Sequence, residues 1–151
     1  MGHWKSFAIF VWRARADGPT AREVVAFGNQ LMNTRPRFSP IHVVEESAGL
    51  PTAEGRDGLL APARVHQDRL GCIGVLLPEA HLVAAMMRVF VRSARVILRG
   101  QVETVVAPTL NELVSEVLEV HARRTGEHFE ARELAAAIEA VRRLAATPAP
   151  P

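Results

Sequence analysis

The sequence predicts an α/β protein with a four-stranded, largely parallel sheet flanked by helices and one extra helix at the C-terminal end. Two observations support this prediction. The fold class follows from short apolar segments of strand length that alternate with longer segments of helical periodicity. The length of 151 residues is that of one domain, so these segments are expected to share one sheet. Alternating buried strands and helices indicate βαβ units, and successive units build a parallel sheet.

Four segments have the nearly continuous apolar, β-branched composition of strands that are covered on both faces. They are residues 6–12, 40–46, 70–77 and 102–107. Pro40 at the start of the second segment is compatible with a strand, because it removes a hydrogen-bond donor only at the strand end. Pro78 ends the third segment.

Five segments have helical periodicity, and they are residues 20–33, 52–69, 79–100, 110–124 and 130–145. Capping boxes open the first and fourth, with Thr20 and Glu23 in one and Thr109 and Glu112 in the other. Pro62 predicts a kink or a division of the second helix. We expect an α/β domain over residues 1–126, an amphipathic helix over 127–146 and a disordered, proline-rich tail over 147–151.

Composition argues against several classes of protein. The net charge is +2, so no nucleic-acid partner is required, and no apolar segment reaches the ~18 residues of a membrane span. The N-terminal segment lacks a signal peptide's pattern. Cys72 is the single cysteine and lies in an apolar segment, which predicts a buried, unreactive thiol. These features predict a cytoplasmic protein without membrane insertion.

The common catalytic motifs do not occur in the sequence. There is no dinucleotide-binding glycine pattern, no phosphate loop, no G-x-S-x-G nucleophile motif and no histidine pair at helical spacing. We therefore predict no enzyme, no catalytic residue, no bound metal and no cofactor. Gly55 and Gly58 follow the second strand inside a helix, and we interpret them as allowing close packing.

Charged residues at the predicted strand ends are the remaining candidates for a ligand site. Glu45 and Glu46 end the second strand, and Glu79 and His81 follow the third. The carboxyl edge of an open α/β sheet is where ligands usually bind. These four residues therefore form a possible ligand site.

The predicted helix 79–100 has an arginine stripe and an unusually wide apolar sector. The stripe is formed by Arg88, Arg92, Arg95 and Arg99, and the apolar sector includes Met87 and Val91. Either the last helix packs on this sector, or a partner protein does so with the arginines as its rim. A third alternative is self-association as a homodimer.

Several of these features together resemble the STAS domain family. Pro51 and Arg56 stand where the family has P-x-x-x-x-R, and they are followed by "IGVLLPEAHLVAAMMRVFVRSARVI". The similarity covers roughly residues 5 to 120 and is greatest to short, single-domain STAS/SEC14-like bacterial proteins. It implies a STAS-like fold, with the helix at 130–145 outside it.

The resemblance also implies a role in signalling. The best-known members of the family are anti-sigma-factor antagonists, in which a D-S-S-G motif at a helix N-terminus is phosphorylated by a partner kinase. Aligned on Gly55, this chain has Thr52 for the aspartate, Ala53 for the first serine and Glu54 for the phosphorylated serine. Glu54 either imitates a permanent phosphate or simply favours the start of the helix. Ser47 and Thr52 are the nearby hydroxyls that could still be modified.

The resemblance therefore predicts a non-catalytic regulatory or protein-interaction module that lacks the phosphorylatable serine. Its partner would be a kinase-like or other signalling protein. The alternative is a SEC14-like protein that binds a small ligand, either a lipid or a nucleotide, in the strand-end cleft.

Overall fold

The computed structural model describes residues 1–77 and 102–146, in which five strands and four α-helices are found. The strands are β1 (Gly2–Trp4), β2 (Phe7–Trp12), β3 (Ser39–Val44), β4 (Ile73–Leu76) and β5 (Thr104–Ala107). The helices are α1 (Gly18–Thr34), α2 (Ala53–Val65), α3 (Leu110–Thr125) and α4 (Ala131–Ala146). The predicted α/β class is confirmed. The predicted helix 79–100 lies outside the described residues.

The prediction of a four-stranded, largely parallel sheet is wrong, because the sheet has five strands and is mixed. The additional strand is β1, which forms an antiparallel hairpin with β2 and pairs Gly2 with Ile9 and Trp4 with Phe7. Lys5 lies in the hairpin turn with a φ of 49°. The three residues of β1 include a glycine and a histidine, so they carry no run of apolar residues that indicates a strand.

Strands β2 to β5 are parallel and neighbour each other in chain order. Right-handed crossovers between parallel strands therefore place α1 and α2 on the same face of the sheet. Alternate residues of β2 face opposite ways: Ala8 and Phe10 pack with residues of α1, and Phe7 and Ile9 pack with residues of α3 and α4. The two faces of the sheet thus have separate helical layers.

Glycines of α2 allow it to approach α1 and the segment just before α1. A side chain on Gly55 would collide with the carbonyl oxygen of Ala16, and a Cβ atom on Gly58 would lie 2.8 Å from the Cβ atom of Ala21. This confirms that these glycines serve close packing. Of the kink or division predicted at Pro62, the division is wrong, since α2 runs without interruption to Val65 and a separate 3₁₀ turn follows at Gln67–Arg69; the kink stays a prediction.

Helices α3 and α4 cover the other face. Thr109 caps α3 by accepting a hydrogen bond from the Glu112 amide at 3.3 Å, as the capping box predicts. Gly126 ends α3 in the left-handed region with a φ of 79°. Leu134 and Ile138 of α4 are fully buried in the same core cluster as Phe7, so the last helix packs within its own chain.

The first helix begins earlier than its predicted capping box. Asp17 is the N-cap residue, and its carboxylate accepts hydrogen bonds from the amide and the hydroxyl of Thr20 at 2.9 and 2.7 Å. Pro19 lies in the first turn, where its missing N–H costs little. Thr20 is therefore inside the helix, and its role in a capping box is not realised.

Candidate functional site

The predicted switch residues Thr52 and Glu54 lie together at the N-terminus of α2. The Thr52 hydroxyl accepts a hydrogen bond from the amide of Gly55 at 2.9 Å, which is the geometry of a helix N-cap. The Thr52 amide also donates to the carbonyl of Ala16 at 2.9 Å. Thr52 is thus engaged in holding the start of α2, and Glu54 follows it in the first turn.

Glu54 is exposed and lies beside an open groove between α1 and α2. Its carboxylate is 3.2 Å from a guanidinium nitrogen of Arg22. The side chain of Glu54 is 72% exposed and that of Arg22 is 70% exposed. The groove has a volume of about 310 Å³. Small side chains line most of it, among them Gly18, Ala21, Ala26, Gly58 and Ala61. Ser47 lies in the exposed turn that follows β3.

The strand-end carboxylate Glu45 joins the sheet to the last helix. Its two oxygens accept hydrogen bonds from Nε and Nη2 of Arg142 at 2.8 and 3.2 Å. Arg142 also donates to Glu139 at 2.8 Å, and these carboxylates raise the pKa of its guanidinium, with the hydrogen bond to Glu45 as the largest cause. A bidentate pair of this kind is among the strongest side-chain contacts. Glu46 is exposed in the next turn.

The remaining predicted site residues lie outside the described residues. They are the possible ligands Glu79 and His81 and the proposed partner-binding residues Met87, Arg88, Val91, Arg92, Arg95 and Arg99. The five described strands run in sequential order across the sheet. They therefore contain no reversal of strand order, which is the feature that opens a ligand crevice in doubly wound sheets.

A buried polar network, which the sequence did not predict, connects β3, α3 and the loop after α3. The Ser39 hydroxyl lies 2.8 Å from Nδ1 of His121, and Nε2 of His121 lies 3.2 Å from a carboxylate oxygen of Glu127. Ser6 donates to the same oxygen at 2.5 Å, and the Cys72 amide donates to the Ser39 hydroxyl at 3.0 Å.

One tautomer of His121 satisfies every member of this network. If the neutral ring carries its proton on Nε2, it donates to Glu127 and accepts the Ser39 proton at Nδ1. Burial lowers the pKa of His121, which keeps the ring neutral. Burial by itself raises the pKa of Glu127. The hydrogen bonds from Ser6 and His121 lower this pKa by more than burial raises it, so the pKa of Glu127 is below its usual value.

Ser39, His121 and Glu127 are hydrogen-bonded in the same order as the serine, histidine and carboxylate of a hydrolytic triad. Their location in the fold, however, is not that of an active site. Ser39 and His121 have 0% exposure, so no substrate reaches the hydroxyl in this conformation. Ser39 also begins β3, which places it at the opposite edge from the carboxyl ends of the strands. The network therefore stabilises the fold in this arrangement, by joining the sheet to α3 and the α3–α4 loop.

Cys72 belongs to the same buried region. Its side chain has 0% exposure, and burial raises the pKa of its thiol to about 11. Because the thiolate is the reactive form, this thiol is unreactive at neutral pH. The predicted burial of the cysteine is confirmed.

Within residues 1–77 and 102–146, no group of three or more acidic, histidine or cysteine side chains is placed to hold a metal ion. In the same ranges, no helix is both long enough and apolar enough to cross a lipid bilayer.

Comparisons with protein-family models, with curated proteins and with solved structures found no match to this chain. Nothing in them identifies a STAS domain. The STAS resemblance therefore rests on the sequence motifs alone, and the function it implies is a proposal.

Proposed function

We propose that this chain is a non-catalytic, STAS-like regulatory module of the bacterial cytoplasm that binds another protein through the surface around Glu54. The observation that carries the proposal is the exposed carboxylate of Glu54, which lies in the first turn of α2 and beside the open groove between α1 and α2.

The chemistry of this groove favours a protein segment as its occupant. Small side chains such as Ala26 and Gly58 let the backbone of a partner helix or loop approach closely. The exposed pair of Arg22 and Glu54 contributes only about 0–1 kcal/mol to stability. A cation on the partner can therefore replace Arg22 beside Glu54 at little cost. The expected partner segment is apolar and carries an adjacent lysine or arginine.

A permanent charge at this position fits the family resemblance. A helix N-terminus stabilises a negative charge, whether phosphate or carboxylate. Glu54 provides that charge where related proteins have a phosphorylatable serine, so binding does not depend on phosphorylation of this residue. The resemblance suggests a kinase-like or other signalling protein as the partner. The hydroxyl of Thr52 is engaged in the helix cap, which leaves Ser47 as the exposed hydroxyl nearby.

The alternative of a lipid or nucleotide site at the strand ends has less support. Its central residue, Glu45, has both carboxylate oxygens hydrogen-bonded to Arg142. A ligand there would have to displace a bidentate ion pair between β3 and α4.

The test begins with capture and identification of the partner from the native host, followed by titration calorimetry with the purified partner. We expect Glu54→Arg and the groove-filling Ala26→Leu each to weaken binding at least tenfold. Glu116→Arg is the matched control, because Glu116 is an exposed carboxylate of α3 on the opposite face of the sheet. Unchanged affinity in both test variants would refute the proposed surface.

Light scattering on the isolated chain separates this proposal from self-association. A concentration-dependent dimer that Ala26→Leu dissociates would show that the groove binds a second copy of the chain. A monomer at all concentrations is the result that the proposal predicts.

A further inference from the structure

A cavity of about 60 Å³ lies between the inner sides of α1 and α2 and the face of the sheet that they cover. It is separate from the groove beside Glu54, which opens on the outer side of the same helix pair. The described residues of the cavity wall are largely apolar. They include Phe10, Met32, Leu59 and Ile73, and His42 and His66 are their titratable members.

Gly28 shows that there is unused space at this wall. Gly28 is buried on the inner side of α1, yet a Cβ atom at this position would meet no atom of the described residues within 4 Å, apart from the backbone of its own helix. Gly55 and Gly58 differ, because their missing side chains are what allows α2 to approach the segment before α1 and α1 itself, respectively. Glycine destabilises a helix interior relative to alanine. At position 28 it permits no closer contact, and its effect is to leave room beside the cavity.

His42 supplies a hydrogen-bond donor at the same wall. The indole nitrogen of Trp12 donates to Nδ1 of His42 at 3.1 Å, and the rings of Phe10 and Trp12 stack on the imidazole. Because Nδ1 accepts this bond, the neutral ring carries its proton on Nε2. Burial lowers the pKa of His42 to about 4, so the ring is neutral at physiological pH. No acceptor for Nε2 occurs among the described residues.

We propose that this cavity binds a small, uncharged, mostly apolar molecule that accepts a hydrogen bond from Nε2 of His42. A cavity of this volume admits only a small ligand, a fragment of a few non-hydrogen atoms. Ordered water fits less well, because each buried water needs two to four polar partners and most of the described wall residues are apolar. A charged ligand would be buried without a counter-ion among the described wall residues.

The ligand can reach the cavity from solvent. Pro40, Leu59 and His66 on the wall are only half-buried. The site does not depend on the proposed docking surface, since Glu54 is not part of the wall. The two proposals can therefore fail separately.

The test is a nuclear magnetic resonance titration of the full chain with 2-butanone and with its hydrocarbon analogue 2-methyl-1-butene. We expect saturable shifts of the Met32 and Leu59 methyl signals and of the His42 ring nitrogen, with the ketone bound at least fivefold more tightly than the hydrocarbon. A dissociation constant of about 1 mM is reasonable for a ligand of this size.

Three variants and one control sharpen the result. Gly28→Leu should abolish binding by filling the space. Gly28→Ala, which meets no neighbouring atom, should fold with a raised melting temperature and weaken binding. His42→Phe should remove the preference for the ketone over the hydrocarbon. Gln30→Leu, on the exposed side of α1, should bind like the wild type.

Three results would overturn the proposal. One is the absence of saturable shifts with either probe. Another is undiminished binding by Gly28→Leu and Gly28→Ala. The third is detection of ordered water bound to His42 that the ketone does not displace, which would mean a hydrated cavity only.

Discussion

The hydroxyl of Ser39 and Nδ1 of His121 lie 2.8 Å apart in the core, where both side chains are fully buried. This contact joins the first residue of β3 to the last part of α3 across 82 positions of the chain. It sits among apolar residues, and the His121 ring lies 4.6 Å from that of Phe7. A fully satisfied polar contact in such surroundings fixes how the helix sits on the sheet.

Replacing Ser39 with alanine should therefore destabilise the protein. The change leaves Nδ1 of His121 and the amide of Cys72 without the hydroxyl they share. An unsatisfied buried polar group costs about 1–3 kcal/mol, and we expect a loss in this range by urea denaturation. Ser47→Ala, in an exposed turn, is the matched control and should stay within about 0.5 kcal/mol of the wild type. A Ser39→Ala variant as stable as this control would contradict the assigned role.

Stability should fall as the pH falls from about 6.5 toward 4. Burial lowers the pKa of His42 from 6.5 to about 4 and also lowers that of His121. Across this window the unfolded chain binds protons that the folded chain does not, so stability increases with pH and is fully present above pH 6.5. The contribution of His42 is about 3 kcal/mol at most, at 1.36 kcal/mol per pKa unit.

Urea denaturation at pH 7.5, 6.0 and 4.5 measures this dependence. The His42→Phe variant should lose less stability than the wild type between the highest and the lowest of these pH values, because the titrating ring is gone. If both proteins lose the same amount, His42 is not responsible for the dependence.

Most of the helices and parallel strands could be predicted, because their apolar periodicity is a local property of the sequence. Leu113, Val117 and His121 recur every four residues, a spacing typical of one helix face, and all three are buried. β1 could not be predicted, since its pairing depends on its neighbour β2 rather than on its own three residues. The start of α1 was predicted late because Asp17 and Thr20 are both good caps, and the position of Pro19 in the first turn selects Asp17.

The buried network was missed for a different reason. Its members come from four distant segments, and no motif spacing connects Ser6, Ser39, Cys72 and Glu127. One signal was present, namely the polar residue His121 on an otherwise apolar stripe, which must find partners when buried. The ion pair of Glu45 was also hidden, because Arg142 follows it by 97 positions and only the packing of α4 brings them together.

Arg142→Met should cost more stability than Arg22→Met. Arg142 is 32% exposed and binds the 21% exposed Glu45 through two hydrogen bonds, whereas the pair of Arg22 and Glu54 is mostly exposed. Losing a partly buried bidentate pair should cost about 1–3 kcal/mol, and losing the exposed one about 0.5 kcal/mol or less. Thermal and urea denaturation of both variants provide the comparison. Equal losses would show that Glu45 does not hold α4 to the sheet.

Gly55→Ala should destabilise the protein although alanine favours helix formation. The new methyl group would collide with the carbonyl oxygen of Ala16, and a backbone atom cannot move aside as a flexible side chain can. Overpacking costs typically 1–3 kcal/mol, against a helix-propensity gain of about 1 kcal/mol, so a net loss of up to about 2 kcal/mol is expected by urea denaturation.

Gly28→Ala is the matched control for this change, since it adds the same methyl group to a helix at a position where no atom of the described residues, apart from the helix backbone itself, lies within 4 Å. It should gain about 0.5–1 kcal/mol. A loss of stability in Gly55→Ala and a gain in Gly28→Ala would distinguish a glycine that is needed for a close contact from one that leaves space. If Gly55→Ala is instead as stable as Gly28→Ala, the backbone of Ala16 and the start of α2 do not make the close contact described, and the groove beside Glu54 has a different shape.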